Sequence, residues 1–169
     1  TIKFPSNLKK LDCSNCGFKN LNISKHKKLE ELNCFYNKLK KLNLNNNIKL
    51  KILDCSCNKF KKLDVSKNRN LQILSCSSNK IRKINLDGTV NMENLDVSFN
   101  KIKEIELTNL KRLIRIDCQG NQLTRLDMTY NKKLHYMICN ANKLTELDVS
   151  QNMELSYLNC SNNAIRQLN

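Results

Sequence analysis

The sequence repeats every 21 residues without an insertion or a deletion. Each unit approximates L-x-x-L-x-C-x-x-N-x-L-x-x-L-D-V-S-x-N, and the units begin at Leu8, Leu29, Leu50, Leu71, Met92, Leu113, Leu134 and Leu155. A unit this short cannot bury its own apolar side chains, so neighbouring units must stack and share one continuous core. The period therefore predicts a solenoid in which each repeat contacts only its neighbours.

This repeat defines one elongated domain at residues 8–169, made of eight units of which the last is incomplete. Residues 1–7 are predicted to be the tail of a preceding repeat, because Ile2 falls at the position held by Ile23, Leu44 and Val65. Solenoid ends normally carry polar caps, and neither end of the sequence has a recognisable one. We therefore expect the chain to be part of a longer protein.

Within each unit, the first residues alternate between apolar and polar, as in LKILDCS at 50–56, which is typical of a half-buried strand. The ninth position is Asn37, Asn58, Asn79, Asn100, Asn121, Asn142 and Asn163, with Cys16 in the first unit. A buried amide can satisfy backbone groups where the chain turns out of a sheet. The L-D-V-S halves, as at 63–66 and 147–150, predict short extended or 3-10 segments on the back, with little α-helix.

Seven of the nine cysteines occupy the sixth position of their units: Cys13, Cys34, Cys55, Cys76, Cys118, Cys139 and Cys160. The fifth unit has Val97 there, which replaces a small buried hydrophobe but would destroy a metal ligand or half a disulfide. Inward side chains on neighbouring strands lie about 4.8 Å apart, whereas a disulfide needs Cβ atoms at roughly 3.5 to 4.5 Å. The column is predicted to be reduced, buried thiols.

Cys16 and Cys57 lie outside this column. Cys16 completes a C-x-x-C motif with the ladder residue Cys13, but no second C-x-x-C follows, so we expect neither a metal nor a cofactor. Cys57, at the strand edge, is the cysteine most expected to react, although an inert, half-exposed thiol is the favoured interpretation.

The duplicated L-x-x-L half, the Asn ladder and the Cys column resemble bacterial leucine-rich repeats, in particular the internalin J-like class with a cysteine ladder. The resemblance covers residues 8–169. It implies a right-handed curved coil with a parallel β-sheet on its concave face, a protein ligand bound there, and an extracellular or cell-surface location. The sequence lacks the N-terminal helical cap, immunoglobulin-like segment and wall-anchoring tail of internalins.

Outward-facing strand positions are the candidates for ligand binding. The fifth position forms a mildly acidic column, and aromatic residues and one arginine lie beside it, which are residue types that anchor interfaces. The predicted ligand-binding residues are Glu31, Asn33, Phe35, Tyr36, Asp54, Asp96, Phe99, Arg115, Asp117, His135, Tyr136 and Tyr157. Scattered exposed apolar residues without a function remain an alternative explanation for this set.

Positive charge is concentrated in the first half of the chain. The formal net charge is +15, and residues 1–84 hold twenty Lys and Arg against five acidic residues, while residues 85–169 hold ten of each. Nine cations of three successive units follow the Asn turns and form what we call the basic flank: Lys38, Lys40, Lys41, Lys59, Lys61, Lys62, Lys80, Arg82 and Lys83. The flank is either a site for polyanions such as nucleic acid, glycosaminoglycan or wall polymer, or a solvated face.

Catalytic residues are not predicted. The two histidines, His26 and His135, lie five units apart, the chain has three glycines and no phosphate-binding loop, and the recurring serines have no base beside them. We expect a monomeric protein-recognition module of a bacterial surface or secreted protein, without membrane insertion. The alternatives are polyanion binding through the basic flank and a structural spacer that displays another domain.

Overall fold

A computed structural model describes residues 5–168, so the predicted placement of Ile2 and the last residue, Asn169, lie outside the described residues. Twelve short strands make up the regular structure. They are β1 (Lys10–Asp12), β2 (Glu31–Asn33), β3 (Ile52–Asp54), β4 (Lys62–Asp64), β5 (Ile73–Ser75), β6 (Lys83–Asn85), β7 (Asn94–Asp96), β8 (Arg115–Asp117), β9 (Tyr136–Ile138), β10 (Glu146–Leu147), β11 (Tyr157–Asn159) and β12 (Gln167–Leu168).

The main sheet takes one strand from each unit and is parallel throughout. Its eight strands follow the order β1-β2-β3-β5-β7-β8-β9-β11. Each residue pairs with the residue one period later, as Leu53 pairs with Leu74. Because the period never changes, the same side of every strand faces the core, and the predicted solenoid is confirmed.

The back of the solenoid is extended rather than helical. Two small parallel sheets, β4-β6 and β10-β12, come from the L-D-V-S halves. Between residues 5 and 168 the chain has no α-helix and no 3-10 helix, only isolated turns such as the one closed by the His26 N–H donating to the Ile23 carbonyl at 3.0 Å. The predicted extended segments are confirmed, and the predicted 3-10 character is limited to these turns.

The core is a set of columns that run the length of the solenoid. From the second to the seventh unit the apolar residues of the first and fourth positions are buried, whereas Leu8, Leu155 and Leu158 in the terminal units are only partly buried. Six of the seven ladder cysteines are buried, as is Val97 in the same column, while Cys160 is partly exposed. All are free thiols. Burial raises the pKa of Cys13 to about 11 and that of Cys139 to about 12. The six buried ladder cysteines are therefore protonated thiols that pack as small hydrophobes, as predicted.

The asparagines of the ninth position join each unit to the one before it. The Asn121 Nδ2 donates to the carbonyls of Val97, Cys118 and Gln119 at 3.0 to 3.3 Å. Its Oδ1 accepts the Ile102 N–H at 3.0 Å. The same set of bonds recurs at every Asn of this ladder from Asn37 to Asn163. Each amide thus closes its own turn and anchors the preceding unit.

A second amide column, which the sequence analysis missed, supports the back turns. Buried asparagines at the nineteenth position donate from Nδ2 to carbonyls of the preceding unit, as Asn131 does to Leu107 and Leu110 at 3.1 and 2.9 Å. Asn47, Asn68 and Asn152 repeat the arrangement. In all four the buried Oδ1 has no hydrogen-bond partner. This column is therefore less completely satisfied than the ladder of the ninth position.

Replacement of the two kinds of asparagine by leucine tests this difference. Asn121→Leu should lower the free energy of unfolding by about 3 kcal/mol, because it leaves buried carbonyls and one buried N–H without partners. Asn131→Leu should cost about 1 kcal/mol or less, since it also removes an unsatisfied oxygen and the preceding unit already has Leu110 at this position. Urea unfolding followed by circular dichroism measures both, and equal losses would contradict the assignment.

Thiol accessibility tests the cysteine ladder. In the native protein, Ellman's reagent should modify Cys16 fastest and Cys57 and Cys160 more slowly, because Cys16 is exposed and the other two are partly exposed. The six buried thiols should react only after unfolding, when all nine become available. Modification of more than three thiols in the native state would contradict the buried ladder.

Candidate functional site on the main sheet

Three successive strands place an arginine and two tyrosines in one stack on the outer surface of the main sheet. Arg115, Tyr136 and Tyr157 hold the third position in β8, β9 and β11, so their side chains lie one above the other. The Tyr136 and Tyr157 rings are stacked, with centroids 4.3 Å apart and planes 7° apart. The Arg115 Cζ lies 4.0 Å from the Tyr136 ring centroid. We call these three residues the Arg–Tyr stack.

The stacking of the rings determines which groups of the Arg–Tyr stack are accessible to solvent. Tyr136 lies between a guanidinium on one side and Tyr157 on the other, so both of its ring faces are covered. At Tyr136 the stack therefore presents the ring edge and the phenol hydroxyl, with the Arg115 charge beside them. The cation–π and ring contacts also restrict the three side chains before any ligand arrives.

A separate aromatic pair lies near the other end of the sheet, in the second unit. The Phe35 and Tyr36 ring centroids are 5.9 Å apart, and both side chains are exposed. Four units separate Tyr36 from Arg115, about 20 Å at the spacing of parallel strands. The structure therefore divides the predicted aromatic residues into at least two clusters and does not unite them in one.

The eighth position of every unit has a left-handed backbone. It is occupied by Asn15, Tyr36, Cys57, Ser78, Phe99, Gly120, Ala141 and Asn162, with φ between 51° and 63°. Only Gly120 among these is a residue for which this conformation is unstrained. The Phe99 ring lies over Gly120, where an added Cβ would come within 2.8 Å of the ring. The turn after each strand thus orients Tyr36 and Phe99 at the rim of the main sheet.

The acidic column of the fifth position is partly committed to structure. Asp54, Asp96 and Asp117 each accept, at 2.9 to 3.1 Å, the backbone N–H of the residue two positions later, and Asn33 does the same for Phe35. These Asx turns end the strands. If these four residues bind a ligand as predicted, one side-chain oxygen of each is already engaged in a turn hydrogen bond.

The pKa of Asp117, in this acidic column, is raised above the ordinary value of an aspartate. Burial is the main cause, the neighbouring Asp96 carboxylate adds to it, and the Gln119 N–H and Arg115 only partly oppose it. The outer surface of the sheet therefore carries closely spaced negative charge between β7 and β8.

The last two predicted residues, Glu31 and His135, each lie close to one side chain of opposite chemical type. The Glu31 Oε1 lies 2.7 Å from the Lys10 Nζ. The His135 Nε2 lies 3.6 Å from Glu154 Oε2, and its Nδ1 lies 3.0 Å from the Lys133 carbonyl oxygen. His135 is therefore at the edge of the Arg–Tyr stack rather than within it.

The thiols outside the ladder differ from expectation in one respect. Cys16 is exposed, and its Sγ lies 3.3 Å from the Ser14 carbonyl, whereas Cys57 is only partly exposed. Cys16, not Cys57, is the more accessible. Among residues 5–168, no group of three or more His, Cys, Asp or Glu side chains is arranged to hold a metal ion.

Comparison with solved structures identifies the fold. The functional domain of InlJ from Listeria monocytogenes, which includes a cysteine ladder, matches 97% of this chain with a TM-score of 0.95 and 39% sequence identity. This chain is a cysteine-ladder leucine-rich repeat domain. It spans 37% of the InlJ structure. No protein-family model matches the sequence, and no curated protein matches it significantly.

Two more structures place this leucine-rich repeat domain among its neighbours. A leucine-rich repeat protein of Leptospira interrogans matches 96% of the chain at 25% identity with a TM-score of 0.90, and the chain spans 45% of it. TLR13 in complex with ssRNA13 matches 85% at 26% identity with a TM-score of 0.69, and the chain spans 22% of it. The predicted right-handed curved coil with a parallel sheet on its concave face is confirmed. The main sheet is that concave face.

The raised pKa of Asp117 predicts a pH-dependent effect of Asp117→Asn. The pKa of this carboxyl is higher in the folded protein than its value of about 4 in the unfolded chain, so the folded state binds the proton more tightly. As pH rises through these two pKa values the carboxyl ionises, and its effect on the stability of the fold becomes unfavourable. The amide keeps an oxygen for the Gln119 N–H and removes the charge. Asp117→Asn should therefore be more stable than the parent at pH 7, and the gain should vanish near pH 3.

Asp127→Asn is the matched control on the back of the solenoid. The Thr129 backbone N–H lowers the pKa of Asp127, so its ionised form stabilises the fold above the unfolded pKa and this contribution is lost as pH falls. Thermal unfolding between pH 3 and pH 7 should show opposite signs for the two variants. The same sign in both would contradict the burial of Asp117.

Proposed function

We propose that this domain is a protein-recognition module that binds its ligand on the concave face through the Arg–Tyr stack. The observation that supports this role is the exposed, ordered stack of Arg115, Tyr136 and Tyr157 on three adjacent strands. Arginine and tyrosine are enriched among the residues that supply most of the binding energy in protein interfaces. Their mutual contacts mean that little side-chain entropy remains to be lost on binding.

Surface chemistry narrows the ligand. Because both faces of Tyr136 are covered, sugar rings cannot stack on it, and the hydroxyls and edges are suited to polar groups of a polypeptide. Asp96 and Asp117 lie on the same sheet beside the stack and favour a ligand with basic side chains at this point. The remaining predicted residues, including Tyr36 and Phe99, form a rim that extends the contact along the sheet.

The likeness to the Listeria InlJ domain supports a place on the surface of a bacterium or among its secreted proteins, with an adhesion or virulence role. In this proposal the domain is monomeric and binds without catalysis. No helix in the described part of the chain is long and apolar enough to cross a membrane. Protease treatment and antibody labelling of intact source cells test the location, and protection of the domain from both would contradict surface display.

Substitution within the stack tests the binding surface. Ligands are captured from a panel of purified host cell-surface proteins, and their affinity for the parent domain is measured by surface plasmon resonance. The double substitution Tyr136→Ala and Tyr157→Ala should weaken binding at least about 30-fold, which corresponds to about 2 kcal/mol for loss of a central aromatic anchor. Arg115→Ala should weaken the same complex, because it also uncovers the Tyr136 ring.

Tyr130→Ala is the matched control, since Tyr130 is a comparably exposed tyrosine on the back of the solenoid. It should leave affinity unchanged within about twofold. If the ligand binds the double variant as well as it binds the parent, the concave stack is not the binding site. If Tyr130→Ala alone abolishes binding, the ligand uses the convex side.

A further inference from the structure

We propose that the basic flank is a second binding site, independent of the concave face, for a flexible linear polyanion that carries phosphate or sulfate groups. The flank comprises the tenth, twelfth and thirteenth positions of units two to four, and all nine residues there are cationic. All nine are exposed. Lys19 and Lys103 continue the middle column into the units on either side, and both are also exposed.

The flank lacks compensating charge. Among residues 5–168, lysine ion pairs involve Lys9, Lys10 and Lys51 with Glu30 and Glu31, and no residue of the basic flank takes part in one. The acids closest in the repeat are Asp64, at the fifteenth position of unit three, and Glu104, beyond the flank in unit five. Glu104 and Glu106 line one pocket with Arg82 and Lys83, so acids border the flank at its unit-five end. The positive potential is therefore least offset in units two and three, where it can attract a polyanion.

Strand pairing forces these charges close together. Lys62 and Lys83 are direct partners in the parallel pair β4-β6, so their backbones are about 4.8 Å apart. Like charges that face each other on neighbouring strands destabilise the sheet. A bound chain of anions would remove this repulsion and release its own condensed counterions, and both effects favour binding.

Composition of the flank indicates recognition by charge. Eight of its nine residues are lysines, which act as point charges, while Arg82 alone offers the planar fork suited to paired contacts with one anion. Side chains of the eleventh position, between the charged columns, point inward: Leu39, Phe60 and Ile81 are fully buried. Within the basic flank no exposed aromatic ring therefore lies between the lysines, whereas single-stranded nucleic acids normally require such a platform for their bases. A polymer with repeated anions and no bases fits better.

A groove at the start of the flank is a further place where the polymer can bind. It is lined by Lys19, Asn20, Lys38, Lys40, Lys41 and Lys59, which belong to the first three units. Five of its six lining residues are lysines, whose long aliphatic stems pack along a surface while the amino groups stay in water. The groove and the columns together span units one to four, on a different side of the solenoid from the Arg–Tyr stack.

Binding of labelled long-chain polyphosphate and of heparin, measured by fluorescence anisotropy, tests this site in the whole domain. The affinity should fall at least about a hundredfold between 50 and 200 mM salt, as for complexes with several ion contacts. Lys40→Glu, Lys61→Glu and Arg82→Glu together should weaken both complexes at least about tenfold. The preference between the two polymers at equal charge then identifies phosphate or sulfate as the preferred group.

Lys111→Glu, Arg112→Glu and Lys132→Glu together are the matched control, because they change net charge equally at exposed positions of units five and six. They should weaken binding less than about threefold. Equal losses in both triple variants, or no binding of either polymer at 50 mM salt, would overturn the proposal. So would tighter binding of poly-dT than of polyphosphate with the same number of charges, because bases would then contribute.

The concave variant with Tyr136→Ala and Tyr157→Ala separates this site from the proposed function. It should bind both polymers with unchanged affinity, and loss of polymer binding in it would overturn the independence of the two sites. Native thiol protection and circular dichroism show whether each charge-reversed variant is folded. If the triple flank variant is unfolded, Lys61→Gln and Arg82→Gln provide a milder neutralisation, which should still reduce the salt dependence.

Discussion

The amide of one asparagine per unit is the interaction on which this solenoid depends. Its Nδ2 and Oδ1 form four hydrogen bonds, two within its own turn and two with the preceding unit, as at Asn121. Leucines supply the larger part of the stabilising apolar contact, but they do not determine the path of the backbone. The amide does so, because a buried carbonyl or N–H left without a partner is costly. The regular stacking of units that positions both proposed sites follows from it.

Opposite charges occupy different sides of this framework. The concave sheet carries Asp54, Asp96 and Asp117, while the basic flank lies past the Asn turn. Since strand residues alternate between core and solvent, each outward column can vary without effect on the core. A protein ligand on one side and a polymer on the other would be compatible sterically. Long-range attraction by the flank would also raise the local concentration of acidic material near the domain.

Most of the fold could be predicted from the sequence because one period encodes strand register, core columns and the Asn ladder together. The ladder cysteines were interpretable because Val97 interrupts them. The second amide column was missed because its position is occupied variously by His26, Thr89 and Leu110 as well as by asparagine. The left-handed eighth position gave a weak signal, since Tyr36, Cys57 and Phe99 avoid that conformation and only Gly120, Asn15 and Asn162 favour it. Pairing of Arg115 with Tyr136 is visible in the sequence only when third positions are read from unit to unit.

The short sequence separation of the asparagine hydrogen bonds affects how the number of repeats can evolve. Every ladder asparagine bonds only to its own unit and the one before it, over separations of at most 24 residues. Removal or duplication of one whole 21-residue unit would therefore leave each remaining interface with a complete set of partners. Recombination between repeats in the gene can thus lengthen or shorten the concave surface in steps of one strand, while point substitutions at outward positions alter its chemistry.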